Sequence, residues 1–215
     1  MGVYMFGMYD RYILPRLLRC ACGSKPVRYQ RRKVVPDASG VILEVGMGSG
    51  ENLPYYDRDN VKLIYGLEPS EGMRALARPV VEKSGLPVEF IDLPGEEIPL
   101  PDNSVDTILL TFTLCTIPDR LAALEQMRRV LKPDGQLIFC EHGIAPDEGV
   151  ARWQERINPI WSLFAGGCHI NQPIPELIQD GGFSIDSMDQ MYLPGTPKAL
   201  GYNYWGTATL KTNPT

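Results

Sequence analysis

VILEVGMGSGEN, residues 41–52, sets three glycines in five positions directly after an apolar run that carries one acid, Glu44. Glycine has no Cβ and reaches positive φ freely, so such a turn either brings backbone close to a ligand or simply reverses the chain. The spacing rejects two phosphate motifs. A phosphate-cradling loop needs a Lys after its last glycine, and none is present. The pattern G-x-G-x-x-G fits Gly46 and Gly48, but its third glycine falls on Glu51, with Gly50 one place early. Glu44 would also repel a pyrophosphate. It suits an ammonium group, held through water or loop amides, while Gly46 and Gly48 admit the ligand. A second acid, Glu68 in YGLEPS, stands where it can accept both hydroxyls of a ribose.

The chain has two histidines. His142, in FCEHG, either serves chemistry as a base or acceptor contact, or only caps a strand; His169, in GGCHI, has the same two readings. Cys140-x-His142 and Cys168-His169 raise a tetrahedral metal site. The usual zinc spacings are absent and Cys140 reads as a small buried apolar residue, so no metal is expected. Cys20-Ala21-Cys22 lacks redox spacing, and five scattered cysteines fit a reducing compartment, here the cytoplasm.

Short apolar runs alternate with helical patterns. Strands are expected at 41–45, 62–67, 88–92, 105–111 and 136–141, and helices at 71–83 and 119–132. The second helix has Leu121, Leu124, Met127 and Leu131 at three- and four-residue spacing before Pro133-Asp134-Gly135. Such alternation predicts an α/β fold, a doubly wound, mostly parallel sheet that binds ligands beyond the carboxyl ends of its strands. Residues 183–192 and 203–211 alternate like strands around a Pro/Gly-rich loop and should pair antiparallel at one edge.

At 215 residues, 44% apolar and 22% charged, the chain fits one ordinary domain. Charge divides it. Residues 1–35 carry +7, against −12 for the rest of a chain whose net charge is −5. This basic arm, 1–37, either lies solvated on the acidic body 38–215 or touches anionic lipid peripherally. The acidic body argues against nucleic acid. The apolar start is too short to span a bilayer and lacks the order of a secretory signal.

An amino-acid end, a ribose and no phosphate describe S-adenosylmethionine (SAM), whose product after methyl transfer is S-adenosylhomocysteine. ILEVGMGSG, GLEPS, PGEEIPLPDNSVD and RRVLKPDGQLIF resemble the class I SAM-dependent methyltransferases near the ubiquinone/menaquinone C-methyltransferase branch. LCTIPDRLAALEQMRRVLKPDGQLIFCEHG and RWQERINPIWSLFAGGCHI are most similar to the thiol S-methyltransferase group, through Glu141-His142, Trp153-Gln154, Pro159, Trp161 and Gly167-Cys168. The resemblance implies a Rossmann-like seven-stranded sheet with an antiparallel edge strand. It implies that Glu44, Gly46, Gly48 and Gly50 line the methionine end and that Glu68 takes the ribose, beside Pro69 and Ser70. Met73, Gly95 and Glu96 approach the adenine, and Thr111 and Tyr12 stand near the cofactor. Pro94 replaces an Asp common in relatives, so the contact to the adenine amino group comes from elsewhere or is missing. Catalysis falls to His142 and Glu141. Segment 150–175 either packs as core or covers a small-molecule acceptor with Trp153, Trp161, His169 and Tyr9. The acceptor expected is a thiol; a phospholipid amine, a quinone-type carbon, or a SAM-binding module without turnover are the alternatives.

Overall fold

The computed structural model describes residues 13–211, and Tyr9 and Tyr12 lie outside them. Two helices open the described chain, α1 (Leu14–Cys22) and α2 (Lys25–Val34). The body then runs β1 (Gly40–Val45), β2 (Val61–Leu67), α3 (Glu71–Ser84), β3 (Val88–Ile91), β4 (Val105–Thr111), α4 (Arg120–Val130) and β5 (Leu131–His142). It closes with α5 (Glu148–Phe164), α6 (Ile174–Asp180), β6 (Phe183–Tyr192) and β7 (Tyr202–Leu210).

The seven strands form one sheet in the order β3-β2-β1-β4-β5-β7-β6. The first five are parallel, and β7 runs antiparallel to both β5 and β6. The expected antiparallel pair thus forms one edge, and the five expected parallel strands are all present. Strands are added outward from β1 to β2 and β3 on one side, then from β4 onward on the other, so the carboxyl ends of β1 and β4 open a crevice at the switch point.

Local chemistry sets the boundaries. Ser70 caps α3 by accepting from Met73 N, and the helix ends on Gly85 at φ +65°. Asp119 caps α4 through Ala122 N. That helix stops at Val130, before the expected 132, because Pro133 disfavours helical geometry in the residue before it. Leu131 instead pairs with Val105 as the start of β5. The buried face of α4 is Ala123, Leu124, Met127 and Val130, whereas Leu121 is 50% exposed.

Side chains alternate across the sheet into two cores. Leu43, Val45, Ile108, Leu110, Leu137 and Phe139 pack against α4 and α6 on one face. Ile42, Ile64, Leu109, Ile138 and Cys140 pack on the other with Val34 and Val35 from the end of the basic arm. The arm's cations lie on aromatic rings of the body: Lys33 Nζ is 3.8 Å from the Trp205 ring centre and Arg32 lies over Tyr55. Among the described residues no helix is long and apolar enough to cross a membrane.

Candidate active site

Gly46, Gly48 and Gly50 all have positive φ, at +72°, +58° and +80°. A Cβ on Gly46 would lie 2.3 Å from the Thr113 side chain, so this glycine makes room for the loop after β4 as well as for the turn. A Cβ on Gly50 would press on Leu53 and Val80. Gly48 differs: a Cβ there would meet only the mobile end of Met73, at 3.3 Å, and the Gly46 carbonyl oxygen at 3.9 Å. Gly48 N donates to Glu68 Oε2, and Ser70 N donates to Glu68 Oε1, both at 2.9 Å. Burial raises the Glu68 pKa against the pull of these two amides and Arg74. Pro69 is exposed beside it. Each Glu68 oxygen retains a lone pair for a sugar hydroxyl.

Gly95 is buried, and a Cβ on it would meet Ile117 at 3.1 Å and Ala123 at 3.4 Å. Glu96 Oε1 accepts from Asp119 N at the start of α4, while its buried Oε2 has no partner among the described residues.

Under the glycine turn lies a polar network that sequence reasoning missed. Glu44 is fully buried; its oxygens accept from Tyr56 Oη at 2.6 Å and Asn52 Nδ2 at 2.9 Å. Burial pushes its pKa up to about 7, opposed by the Tyr56 hydrogen bond, Arg31 and Asn52. Asn52 links this buried carboxylate to Arg31. Asn52 Nδ2 also donates to Thr111 Oγ1, and Arg31 Nη1 donates to both Asn52 Oδ1 and Thr111 Oγ1. Arg31, on the basic arm, is buried under the β1 and β4 ends, and its Nε–H has no partner among the described residues. Its guanidinium sits 5.4 Å from the Phe112 ring centre. Phe112 itself is at φ +57°, a conformation non-glycine residues rarely hold.

A second cluster sits at the ends of β4 and β5. Glu141 is fully buried and both its oxygens accept from Thr113 N, at 2.8 and 3.0 Å, with a further backbone hydrogen bond from Leu114. Burial raises its pKa to about 7. Both oxygens of this expected catalytic acid are thus engaged in holding the 112–115 loop. His142 Nε2 lies 3.1 Å from Cys168 Sγ, which lies 3.6 Å from Cys115 Sγ. The Cys115 hydrogen bond and the imidazole lower the Cys168 pKa despite burial; Cys115 is raised by the same contact and by its own burial. Burial alone would lower the His142 pKa, but Cys168 and Glu141 outweigh it and raise it.

Polar side chains of α5 fix this arrangement. Gln154 accepts from Ala145 N and donates to the carbonyls of Gly143 and Ile170. Asn158 Oδ1 accepts from Ile170 N, and its Nδ2 lies 2.9 Å from His169 Nδ1. Gly166 and Gly167, at φ +62° and +84°, turn the chain so that Cys168 faces inward. Trp161 and Ile157 pack on the cysteines, and the buried Trp161 indole N–H, which faces Cys168, has no hydrogen-bond partner of ordinary geometry among the described residues. Trp153 is 60% exposed, with Arg156 over its ring, and does not line the cluster. Helical spacing places it on the outer face with Ile160 and Phe164, so part of the expected cover faces solvent.

A family model described as "Methyltransferase domain" matches residues 43–139. Rat thiol S-methyltransferase TMT1B is 30% identical over 169 residues, covering 74% of this chain and 68% of that protein. The chain belongs to the class I SAM-dependent methyltransferases. The human TMT1B is 28% identical over 200 residues, covering 88% and 81%. A demethylmenaquinone methyltransferase of Listeria welshimeri is 43% identical over 143 residues, covering 56% and 59%. A solved SAM-dependent methyltransferase from Thermotoga maritima superposes with TM-score 0.68 at 21% identity, covering 97% and 100%, which shows the fold. The methyltransferase therefore uses SAM. The residues present fit it: an open Gly48, a carboxylate for the ribose and, in Arg31 Nε, a buried donor able to meet a carboxylate.

Proposed function

We propose that this methyltransferase transfers the SAM methyl group to a small thiol. The observation that carries this reading is the convergence of Cys115, His142 and Cys168 at the ends of β4 and β5, where an acceptor would face the methyl donor. Such a set exchanges protons with a thiol and stabilises its thiolate, whereas an amine acceptor needs a free carboxylate or an aromatic cage. The nearest acid, Glu141, is occupied by backbone amides. The similarity to TMT1B, a thiol S-methyltransferase by name, supports the same acceptor.

SAM supplies an electrophilic methyl group and leaves as S-adenosylhomocysteine. Glu68 orients the ribose, Gly48 gives the backbone close approach, and Arg31 Nε–H takes the carboxylate end. The His142–Cys168 pair takes up the acceptor's proton. Trp161 and Ile157 keep water from the thiolate, which favours a transfer that disperses charge.

A lipid-borne amine or quinone-type acceptor is the second reading. Ile13, Leu17, Leu163 and Phe164 are exposed beside the basic arm, with the start of α1 against the end of α5 at Gly166. Formation of S-adenosylhomocysteine from SAM against small thiols, lipid amines and quinol precursors, with Glu68→Ala as blank, decides between them. Turnover with thiols alone is expected; turnover only with amines or quinols contradicts the thiol reading.

A further inference from the structure

One feature exceeds what proton exchange requires. Cys115 Sγ, His142 Nε2 and Cys168 Sγ all lie within 4.8 Å of one another. They arrive from the loop after β4, the last residue of β5 and the loop after α5, with no local sequence spacing to bring them together. Two sulfurs on a tetrahedral zinc ion stand about 3.7 Å apart, from Zn–S bonds of about 2.3 Å. Here they stand 3.6 Å apart. The His142–Cys168 edge, 3.1 Å, must open by a few tenths of an ångström to reach its tetrahedral value. Cys140, the cysteine that sequence spacing suggested, lies deeper on the strand with its sulfur 3.6 Å from Asn203 Oδ1. The outer contacts are those of a built site. The Cys115 carbonyl accepts from His169 N and Arg120 Nη2, Gln154 and Asn158 fix the flanking loop, and the Trp161 N–H faces a sulfur.

We propose that Cys115, His142 and Cys168 bind one zinc ion and leave its fourth position to the acceptor's sulfur. Three protein ligands with an open position are the arrangement of catalytic zinc. The proposal rests on the thiol reading above. With the metal bound, His142 and Cys168 act as ligands instead of taking up the acceptor's proton, which passes to solvent as the acceptor's sulfur joins the metal. That sulfur's electron pair then forms the bond to the methyl carbon while the carbon–sulfonium bond breaks, its pair remaining on S-adenosylhomocysteine. The neutral thioether, a weak ligand, departs.

The test uses the full chain, reduced and chelator-treated, carrying Cys20→Ser so that this exposed cysteine cannot hold the probe. Cobalt(II) is the probe. One equivalent should give the visible bands of tetrahedral cobalt with thiolate charge transfer, shift on addition of a small thiol, and be displaced by zinc. His142→Ala and Cys168→Ser, checked for folding by circular dichroism, should each weaken binding beyond the about 10- to 100-fold cost of losing an outer-shell partner. Absence of the bands in the parent chain, unchanged binding in either variant, or a Cys115–Cys168 disulfide in their place overturns the site. Undiminished thiol turnover by the chelator-treated chain overturns the metal and leaves the thiol reading intact. Cobalt bands in a chain that turns over no thiol keep the metal and overturn the thiol reading.

Discussion

The cofactor half of the crevice and the acceptor half are built in opposite ways. The glycine turn follows β1 and Glu68 follows the adjacent β2, and their main contacts are backbone amides to one carboxylate. The acceptor half draws one side chain each from three distant segments and depends on a fourth, Gln154, to hold them. The difference teaches that the turn and its carboxylate form a compact device, completed by Arg31 and Thr111 from farther along the chain, while the second half has no such kernel and exists only when the tertiary structure is complete. Thr113 joins them, packed on Gly46 and bound to Glu141.

Breaking that joint should have the largest effect. Gly46→Ala forces a Cβ into Thr113 and holds alanine at φ +72°, which together should cost about 3–5 kcal/mol. Urea unfolding checks it, and a loss below about 1 kcal/mol would show the two halves to be independent. Next is the carboxylate under the turn. Glu44 has its pKa raised to about 7 from 4.5, so the folded chain holds a proton there that the unfolded chain releases as pH rises from about 4.5 to 7. Burial of this carboxylate therefore destabilises the fold progressively across that window. Glu44→Gln, still bonded to Asn52 and Tyr56, should gain relative to the parent by up to roughly 3 kcal/mol between these limits. Unfolding midpoints at several pH values measure it; a difference independent of pH contradicts it.

Gln154→Ala sharpens the contrast. It strands three buried backbone groups, with an expected cost of about 2–3 kcal/mol, and should lower acceptor turnover far more than SAM affinity. Equal losses in both would erase the distinction between the halves. Smallest is Trp153→Ala, on the exposed face of α5, expected to change stability by less than about 0.5 kcal/mol and turnover hardly at all.

The same contrast explains what was legible beforehand. Apolar runs marked every parallel strand, and Gly46, Gly48 and Glu68 stood out because they lie just after the apolar runs of β1 and β2 and have restricted chemistry. Arg31 was hidden among the arm's cations, since nothing in its spacing separates a buried guanidinium from solvated ones. Asn52 and Tyr56 carry no periodic signal. Trp153 was misplaced because helical spacing identifies a face without saying which way it turns, while Gln154, its neighbour, is the inward residue. Cys115 joins His142 and Cys168 only through sheet order, which places the β4 and β5 ends side by side.

The most direct measurement pairs calorimetric binding of S-adenosylhomocysteine with thiol turnover for His142→Ala and Cys168→Ala. The account predicts affinity within about threefold of the parent and turnover reduced by roughly 100-fold or more, since these side chains serve the acceptor alone. Undiminished turnover with a small thiol, or affinity that falls in step with turnover, would contradict it.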